Sequence, residues 1–293
     1  MNNKVKNINY TFIIPHKNAP TLLDRCLNSI PRRNDVQIIV VDDASDPSIV
    51  DWNNYKFTND TSVELILTKE KRGAGYARNE GMKHAKGKWL LFCDADDTYV
   101  DGVLDILDKY KETDFEVLYF NYFESDSKGN KHPVRLISNN NQNVTDALKY
   151  KLKAPWYKMV SRDFVYKFNI FFEETLNGND VFYTYQVGYF SNKCKAIDNF
   201  LYVYWYNNSG LTNNKTKSEI YYISQFKHLL QSNAFYDFIG HSDWKKSITK
   251  RLSKILIKKG IGSFVFAFKV FLTNKRSIYK DKFLFVNYFK NYH

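Results

Sequence analysis

The sequence predicts an α/β fold: a mostly parallel sheet flanked by helices, followed by a C-terminal helical extension. Three observations lead there. Strand-like and helix-like apolar patterns alternate over the first hundred residues, as crossover units of a parallel sheet require. Two of the strand-like runs, residues 36–41 and 89–93, end in carboxylates, Asp42-Asp43 and Asp94-Ala95-Asp96-Asp97. Beyond residue 217 the pattern becomes mostly helical and strongly basic.

The elements follow in order. Residues 10–14 form an apolar strand. Residues 21–30 place Leu22, Leu23, Cys26, Leu27 and Ile30 at helical spacing, with Thr21 as the N-cap. Residues 36–41 and 63–67 are the next strands, 73–84 a helix, and 89–93 the fourth strand. Residues 102–110 read as a helix and 116–123 as an aromatic-rich strand. The polar stretch 126–143 holds a turn at Ser127-Lys128-Gly129-Asn130 and a loop at Asn139-Asn140-Asn141. Residues 145–205 mix short helices and strands, and the polar run 207–217 closes the α/β region. The expected division is an α/β domain at 1–212 and a basic, mostly helical region at 213–293.

Ligands of open α/β sheets sit at the carboxyl ends of the strands, so both carboxylate clusters should face one crevice. Apolar strands do not end in unpaired acids without a reason. Hard cations take oxygen ligands and often bridge one or two carboxylates to a substrate's phosphates. The Asp-x-Asp at 94–96 is therefore a candidate seat for a divalent ion, Mn2+ or Mg2+, carrying a diphosphate.

Composition narrows the alternatives. At 293 residues and 44% hydrophobic, the chain can bury one large core or two modest ones. The longest apolar stretch, 260–272, contains Lys269 and is too short to cross a membrane. The opening Met1-Asn2-Asn3-Lys4 runs straight into the first strand, which does not read as a signal peptide. Cys26, Cys93 and Cys194 match neither a metal spacing nor a disulfide framework, so a reducing, cytoplasmic setting is expected. No Gly-x-x-x-x-Gly-Lys-Ser/Thr run is present, which argues against a P-loop. Between residues 241 and 293, eleven Lys and two Arg stand against two Asp, so nearly all of the +12 net charge lies there. Interleaved with these are Ile255, Leu256, Ile257, Phe264, Val265, Phe266 and Phe268. That pattern favours a membrane-surface helix over a nucleic-acid arm, with a helical subdomain packed on the main body as the alternative. No nucleic-acid partner is expected.

The motifs now on the page resemble family 2 glycosyltransferases. Ile13-Ile14-Pro15-His16-Lys17-Asn18 looks like their opening strand end, and Val40-Val41-Asp42-Asp43-Ala44-Ser45 like the next. Gly73-x-Gly75-x-Ala77-Arg78-Asn79-x-Gly81 is similar to the following helix, and Phe92-Cys93-Asp94-Ala95-Asp96-Asp97 to their metal motif. The likeness spans roughly residues 8–212 and leaves out the C-terminal quarter. It implies the GT-A fold, a Rossmann-like sheet that binds a nucleotide sugar.

The resemblance also implies roles. Asp43, supported by Asp42, would accept the N3–H of a uracil, with Pro15 and Lys17 lining the base pocket. Arg72 and Arg78 would bring positive charge to the diphosphate, aided by a helix N-terminus. Asp96 would bind the metal, and Asp94 the ribose hydroxyls or the metal's water shell. Asp180, in Gly178-Asn179-Asp180-Val181-Phe182, would be the general base, with Glu173 and Glu174 as competitors. Trp156 and Trp205 would either stack on a sugar or pack in the core. The implied activity is metal-dependent, inverting transfer of a sugar from a UDP-sugar to an acceptor hydroxyl, in making a capsule, O-antigen or exopolysaccharide. The acceptor would be a saccharide, free or lipid-linked, at the inner face of the cell membrane. A sugar-1-phosphate nucleotidylyltransferase would carry a Gly-rich loop where this chain has Pro15-His16-Lys17-Asn18. A noncatalytic sugar-nucleotide-binding protein would not need Asp94, Asp96 and Asp180 together.

Overall fold

The computed structural model describes residues 7–57, 60–137, 143–175, 177–206 and 218–290, with side chains described only as far as 272. The expected loop at Asn139-Asn140-Asn141 and the boundary between 212 and 213 lie outside the described residues. The chain opens with β1 (Tyr10–His16), α1 (Pro20–Asn28), β2 (Val36–Asp42), β3 (Val63–Leu67), α2 (Ala74–His84) and β4 (Trp89–Phe92). Next come β5 (Thr98–Tyr99), α3 (Val103–Asp108), the hairpin β6 (Val117–Ser125) and β7 (Lys131–Val134), and α4 (Asp146–Tyr150). Then follow β8 (Lys158–Ser161), α5 (Arg162–Lys167), α6 (Asp180–Phe190) and β9 (Cys194–Tyr204). Two helices end the described chain, α7 (Glu219–Phe238) and α8 (Ile248–Lys290), the latter broken at Gly260.

The strands form one sheet in the order β3-β2-β1-β4-β8-β6-β9-β5, with β7 paired to β6. The first four are parallel, as the alternating pattern requires. The remainder is mixed: β8 runs antiparallel to both β4 and β6, β9 is parallel to β6, and β5 is antiparallel to β9. β2 and β4 flank β1 on opposite sides, so the strand order reverses at β1 and opens a crevice at the carboxyl ends. Pro15 fits this position. β1 pairs with β4 only as far as Ile13↔Phe92, so the N–H that proline lacks is not needed on that side.

Thr21 is not the helix cap. α1 begins at Pro20, with Ala19 at the cap position, because proline's fixed φ suits the first helical turn and its missing N–H would be unpaired there anyway.

Apolar faces of the sheet strands and helices merge into one core, which also takes in Phe235 and Tyr236 near the end of α7. A second, smaller cluster joins Ile223, Phe226, Leu229 and Leu230 of α7 to Leu252, Ile255 and Ala267 of α8. Ile257 and Ile261 of α8 point away from it and are 79% and 74% exposed.

Candidate active site

β1, β2 and β4 are parallel neighbours, so Asp42-Asp43 and Asp94-Asp97 emerge at the same edge of the sheet. At the β2 end, Asp42 is a turn residue. Its carboxylate accepts from the Ser45 N–H (2.9 Å) and from the Ser45 hydroxyl (2.5 Å). The Ala19 N–H donates to His16 Nε2 (3.1 Å), so His16 carries its proton on Nδ1 and donates it to Asp42 (2.9 Å). Burial alone would push the Asp42 carboxyl up, but these bonds outweigh it and hold the group below the usual range.

Asp43 is buried, and its Oδ1 accepts the backbone N–H groups of Arg72 (2.7 Å) and Gly73 (2.9 Å). It thereby ties the β2 end to the loop that starts α2. Ala44 sits at φ 53°, a left-handed conformation that costs a non-glycine residue energy. Lys17 holds this turn by donating to the carbonyls of Asp43 (2.6 Å) and Ala44 (3.0 Å). Lys17 is thus held against the Asp43 loop.

Asp97, at the β4 end, is buried and accepts from the Tyr202 hydroxyl (2.8 Å) and the Trp205 N–H (2.7 Å). The same Tyr202 oxygen accepts the Asp94 N–H (3.0 Å). Arg25 of α1 donates to the Asp96 carbonyl while lying over the Trp205 ring at 4.6 Å. The turn is therefore clamped from below by β9 and from the side by α1. Asp94 and Asp96 are half-buried, with surface open to a ligand. Burial, and then the charges of Asp94 and Asp96, push the Asp97 carboxyl well above its usual range. Asp97 is thus taken up by the fold, and Asp94 and Asp96 are the acids of this turn that face solvent. Among the described residues no three His, Cys, Asp or Glu groups could hold a metal together. The donor set fits an ion that binds a protein through one or two carboxylates and takes its other ligands from phosphate and water, as Mg2+ does. Arg78 donates to Asp94 Oδ1 at 2.5 Å.

Asp180 reaches this edge from far along the chain. Phe92 of β4 packs edge-on against Phe172 and Tyr183, and those two rings stack at 3.9 Å. Tyr183 lies one turn after Asp180 on the same helix face, so fixing its ring to Phe92 brings the start of α6 beside the end of β4. Arg78 completes the link. It is 5% exposed and donates to Asp94 with one nitrogen and to Asn179 Oδ1 (2.7 Å) with the other. A Cβ on Gly75 would lie 2.0 Å from the Glu173 carbonyl oxygen, so that glycine permits close approach of α2 rather than cradling phosphate.

Burial raises the Asp180 pKa, and the positive charges of Arg78 and Lys158 oppose it. Lys158 is itself fully buried, donating to the Ala154 carbonyl (2.6 Å), and burial lowers its pKa to about 7. Burial likewise lowers nearby Lys153 to about 6. The competing acids differ: Glu173 Oε2 is buried without a hydrogen-bond partner among the described residues, and burial raises the Glu173 pKa. Glu174 pairs with Arg72 at the surface, and Glu173 accepts from Gln231 (2.8 Å).

The structure thus brings Pro15, Asp43, Arg78, Asp94, Asp96 and Asp180 to one crevice edge. Arg72 turns to Glu174, and Asn79 is spent on both backbone polar groups of Phe172. Trp156 is buried in a stack with Tyr202 at 4.6 Å, which makes it a core residue. Tyr202, Arg25 and Asn179 support the site through contacts that the sequence does not show. Their partners lie 71 to 108 residues away, beyond the reach of any local spacing.

A crevice of this kind, at the switch point of a half-parallel sheet with an Asp-x-Asp at its edge, belongs to nucleotide-sugar enzymes of the GT-A class. Residues 11–174 match the family described as glycosyl transferase family 2, and the chain belongs to that family. It is similar to the poly(ribitol-phosphate) beta-glucosyltransferase of Bacillus spizizenii, 37% identical over 92 residues, which cover 30% of this chain and 14% of that protein. It spans 40% and 62% of two further curated glycosyltransferases. Its fold is similar to that of residues 1–349 of TarS from S. aureus in complex with UDP-GlcNAc. The TM-score is 0.64 at 18% identity, over 84% of this chain and 70% of that one. It is also similar to the mannosyltransferase PcManGT from Pyrobaculum calidifontis in complex with GDP-Man and Mn2+. Here the TM-score is 0.55 at 15% identity, over 98% and 86% of the two chains.

Proposed function

We propose that this chain is a metal-dependent, inverting glycosyltransferase that moves one sugar from a UDP-sugar to an acceptor hydroxyl during surface-polysaccharide synthesis. The observation that carries the reading is the Arg78 bridge, one guanidinium joining the Asp94 turn to the Asn179-Asp180 turn. Asp43 anchors the base end of the crevice, next to Pro15. The acidic 94–97 turn would repel a bare diphosphate, and Asp96 with Asp94 would hold a divalent ion there to offset that charge. That ion supplies Lewis-acid stabilisation of the leaving diphosphate. Asp180 takes the proton of the acceptor hydroxyl as it attacks the anomeric carbon. The TarS complex with UDP-GlcNAc supports a UDP-sugar donor, and the PcManGT complex supports Mn2+. We assign catalysis to residues 1–212 and acceptor or membrane contact to 213–293.

Thermal melting tests the donor and the metal together. UDP with Mn2+ near a hundredfold above Kd should raise Tm by roughly 5 °C, and UDP with chelator much less. Equal shifts in the two conditions would remove the metal from the reading. Asp96→Ala should abolish the difference.

The acceptor reading places the chain at an anionic membrane face. α8 carries Leu256, Ile257, Ile261, Val265 and Phe266 exposed, among Lys254, Lys258 and Lys259. None of the described helices is long and apolar enough to cross a membrane, so contact would be peripheral. The intact chain should float with vesicles containing phosphatidylglycerol and not with neutral phosphatidylcholine vesicles. The triple variant Ile257→Ser, Ile261→Ser, Phe266→Ser should stay at the bottom of the gradient. Equal flotation of variant and wild type would argue against α8 as the contact.

A further inference from the structure

We infer that α7 is a positioning element for the catalytic base and that His228 is its principal contact. This rests on the reading of Asp180 as the base. One face of α7 presents Ser224, His228 and Gln231, spaced four and three residues apart so that they line up. His228 Nε2 donates to the Asn177 carbonyl at 2.6 Å, and Gln225 donates to Asn177 Oδ1 at 3.2 Å. Gln231 lies 3.0 Å from His228 Nδ1 and donates to Glu173 Oε1 at 2.8 Å. Glu173 in turn donates its N–H to the Asn179 carbonyl.

The imidazole also packs closely against the turn. Gly178 adopts φ 67°, and a Cβ there would meet the His228 ring at 2.5 Å. The segment 177–179 leads directly into Asp180, and Val181 N–H closes onto the Gly178 carbonyl at 3.1 Å. Two grips therefore hold the base turn. Arg78 holds it from the nucleotide side through Asn179, and α7 holds it from the opposite side through Asn177. The α7 residues lie beyond residue 174, where the match to the family model ends.

The consequence is kinetic. A base displaced by a fraction of an ångström still leaves nucleotide and metal bound, but it loses alignment with the acceptor hydroxyl. The test uses the full-length protein and the UDP-sugar that wild type turns over fastest, from UDP-glucose, UDP-galactose, UDP-GlcNAc and UDP-GalNAc, read as UDP released. His228→Phe should lower kcat by about 10- to 100-fold with donor KM and the UDP-induced melting shift unchanged. It should also speed amide exchange at Val181. His228→Gln, which can still donate to Asn177, should recover most of the loss. Wild-type kcat in His228→Phe, or equal losses in the Phe and Gln variants, would overturn the inference. If His228→Phe does not fold, the pair Ser224→Ala, Gln225→Leu should show the same split in milder form, and an unchanged kcat there would also overturn it. Asp180→Asn is run in parallel. If it remains active, the base assignment has failed, whereas an inactive Asp180→Asn beside a fully active His228→Phe removes only the α7 inference.

Discussion

Asp180→Asn should lower kcat by about 10²- to 10⁴-fold while UDP binding is kept, because the amide matches the carboxylate in shape and cannot take a proton. The reading also sets the pH profile. Burial raises the Asp180 pKa against the opposing charges of Arg78 and Lys158. Only the ionised form acts as a base, so kcat should rise with pH through a value above the ordinary carboxylate range. The same shift has a stability consequence of known sign. The folded-state pKa lies above the unfolded one, so the group favours folding when protonated, and that contribution is lost as pH rises through the folded value. Asn removes the cost of ionising there, so the inactive variant should melt higher than wild type at neutral pH. An acid limb at the pH of an exposed carboxylate, or a variant that keeps its turnover, would rule Asp180 out as the base.

Arg78→Met should damage both stability and turnover. Arg78 is almost fully buried and holds two partners on different elements. Breaking a buried charged pair typically costs about 3–5 kcal/mol. Asp94 is 33% exposed and water can reach it once released, so about 3 kcal/mol is expected, at the low end of that range. The kinetic loss should appear in kcat/KM, since the Asp94 turn and the Asp180 turn both lose their common tie. Arg78→Lys should rescue only partly, because a single ammonium cannot fork between Asp94 and Asn179. Denaturant unfolding with and without UDP and Mn2+ separates the two effects. A methionine variant with wild-type stability would show that the bridge carries no weight.

Strands β1, β2 and β4 and helix α2 were legible because burial on both faces of a parallel strand leaves continuous apolar runs, and the acids at their ends interrupt those runs abruptly. The turn role of Asp42 and the backbone role of Asn79 are ordinary habits of those side chains. The antiparallel half was much less legible. β8 is a four-residue strand, too short for a period to declare itself, and its placement depends on pairing with β4 and β6. Asp180 was located by resemblance, not by local pattern, since an acid in the first turn of a helix is common for reasons unrelated to catalysis. The contacts of Lys17 with the Asp43 and Ala44 carbonyls and of Arg72 with Glu174 were not legible. Long cations take the nearest available oxygen, and which oxygen is nearest depends on loops the sequence does not describe.

By itself, the sequence determined that apolar strands deliver acids to one sheet edge and that a basic, apolar-flecked helix ends the chain, because both are properties of runs of neighbouring residues. Which side chains meet across long stretches of chain was decided by the tertiary structure. Arg78 meets Asn179 across 101 residues and His228 meets Asn177 across 51. Such meetings depend on the stack of Phe92, Phe172 and Tyr183 and on the packing of α7, where close contact in space has no counterpart in spacing along the chain.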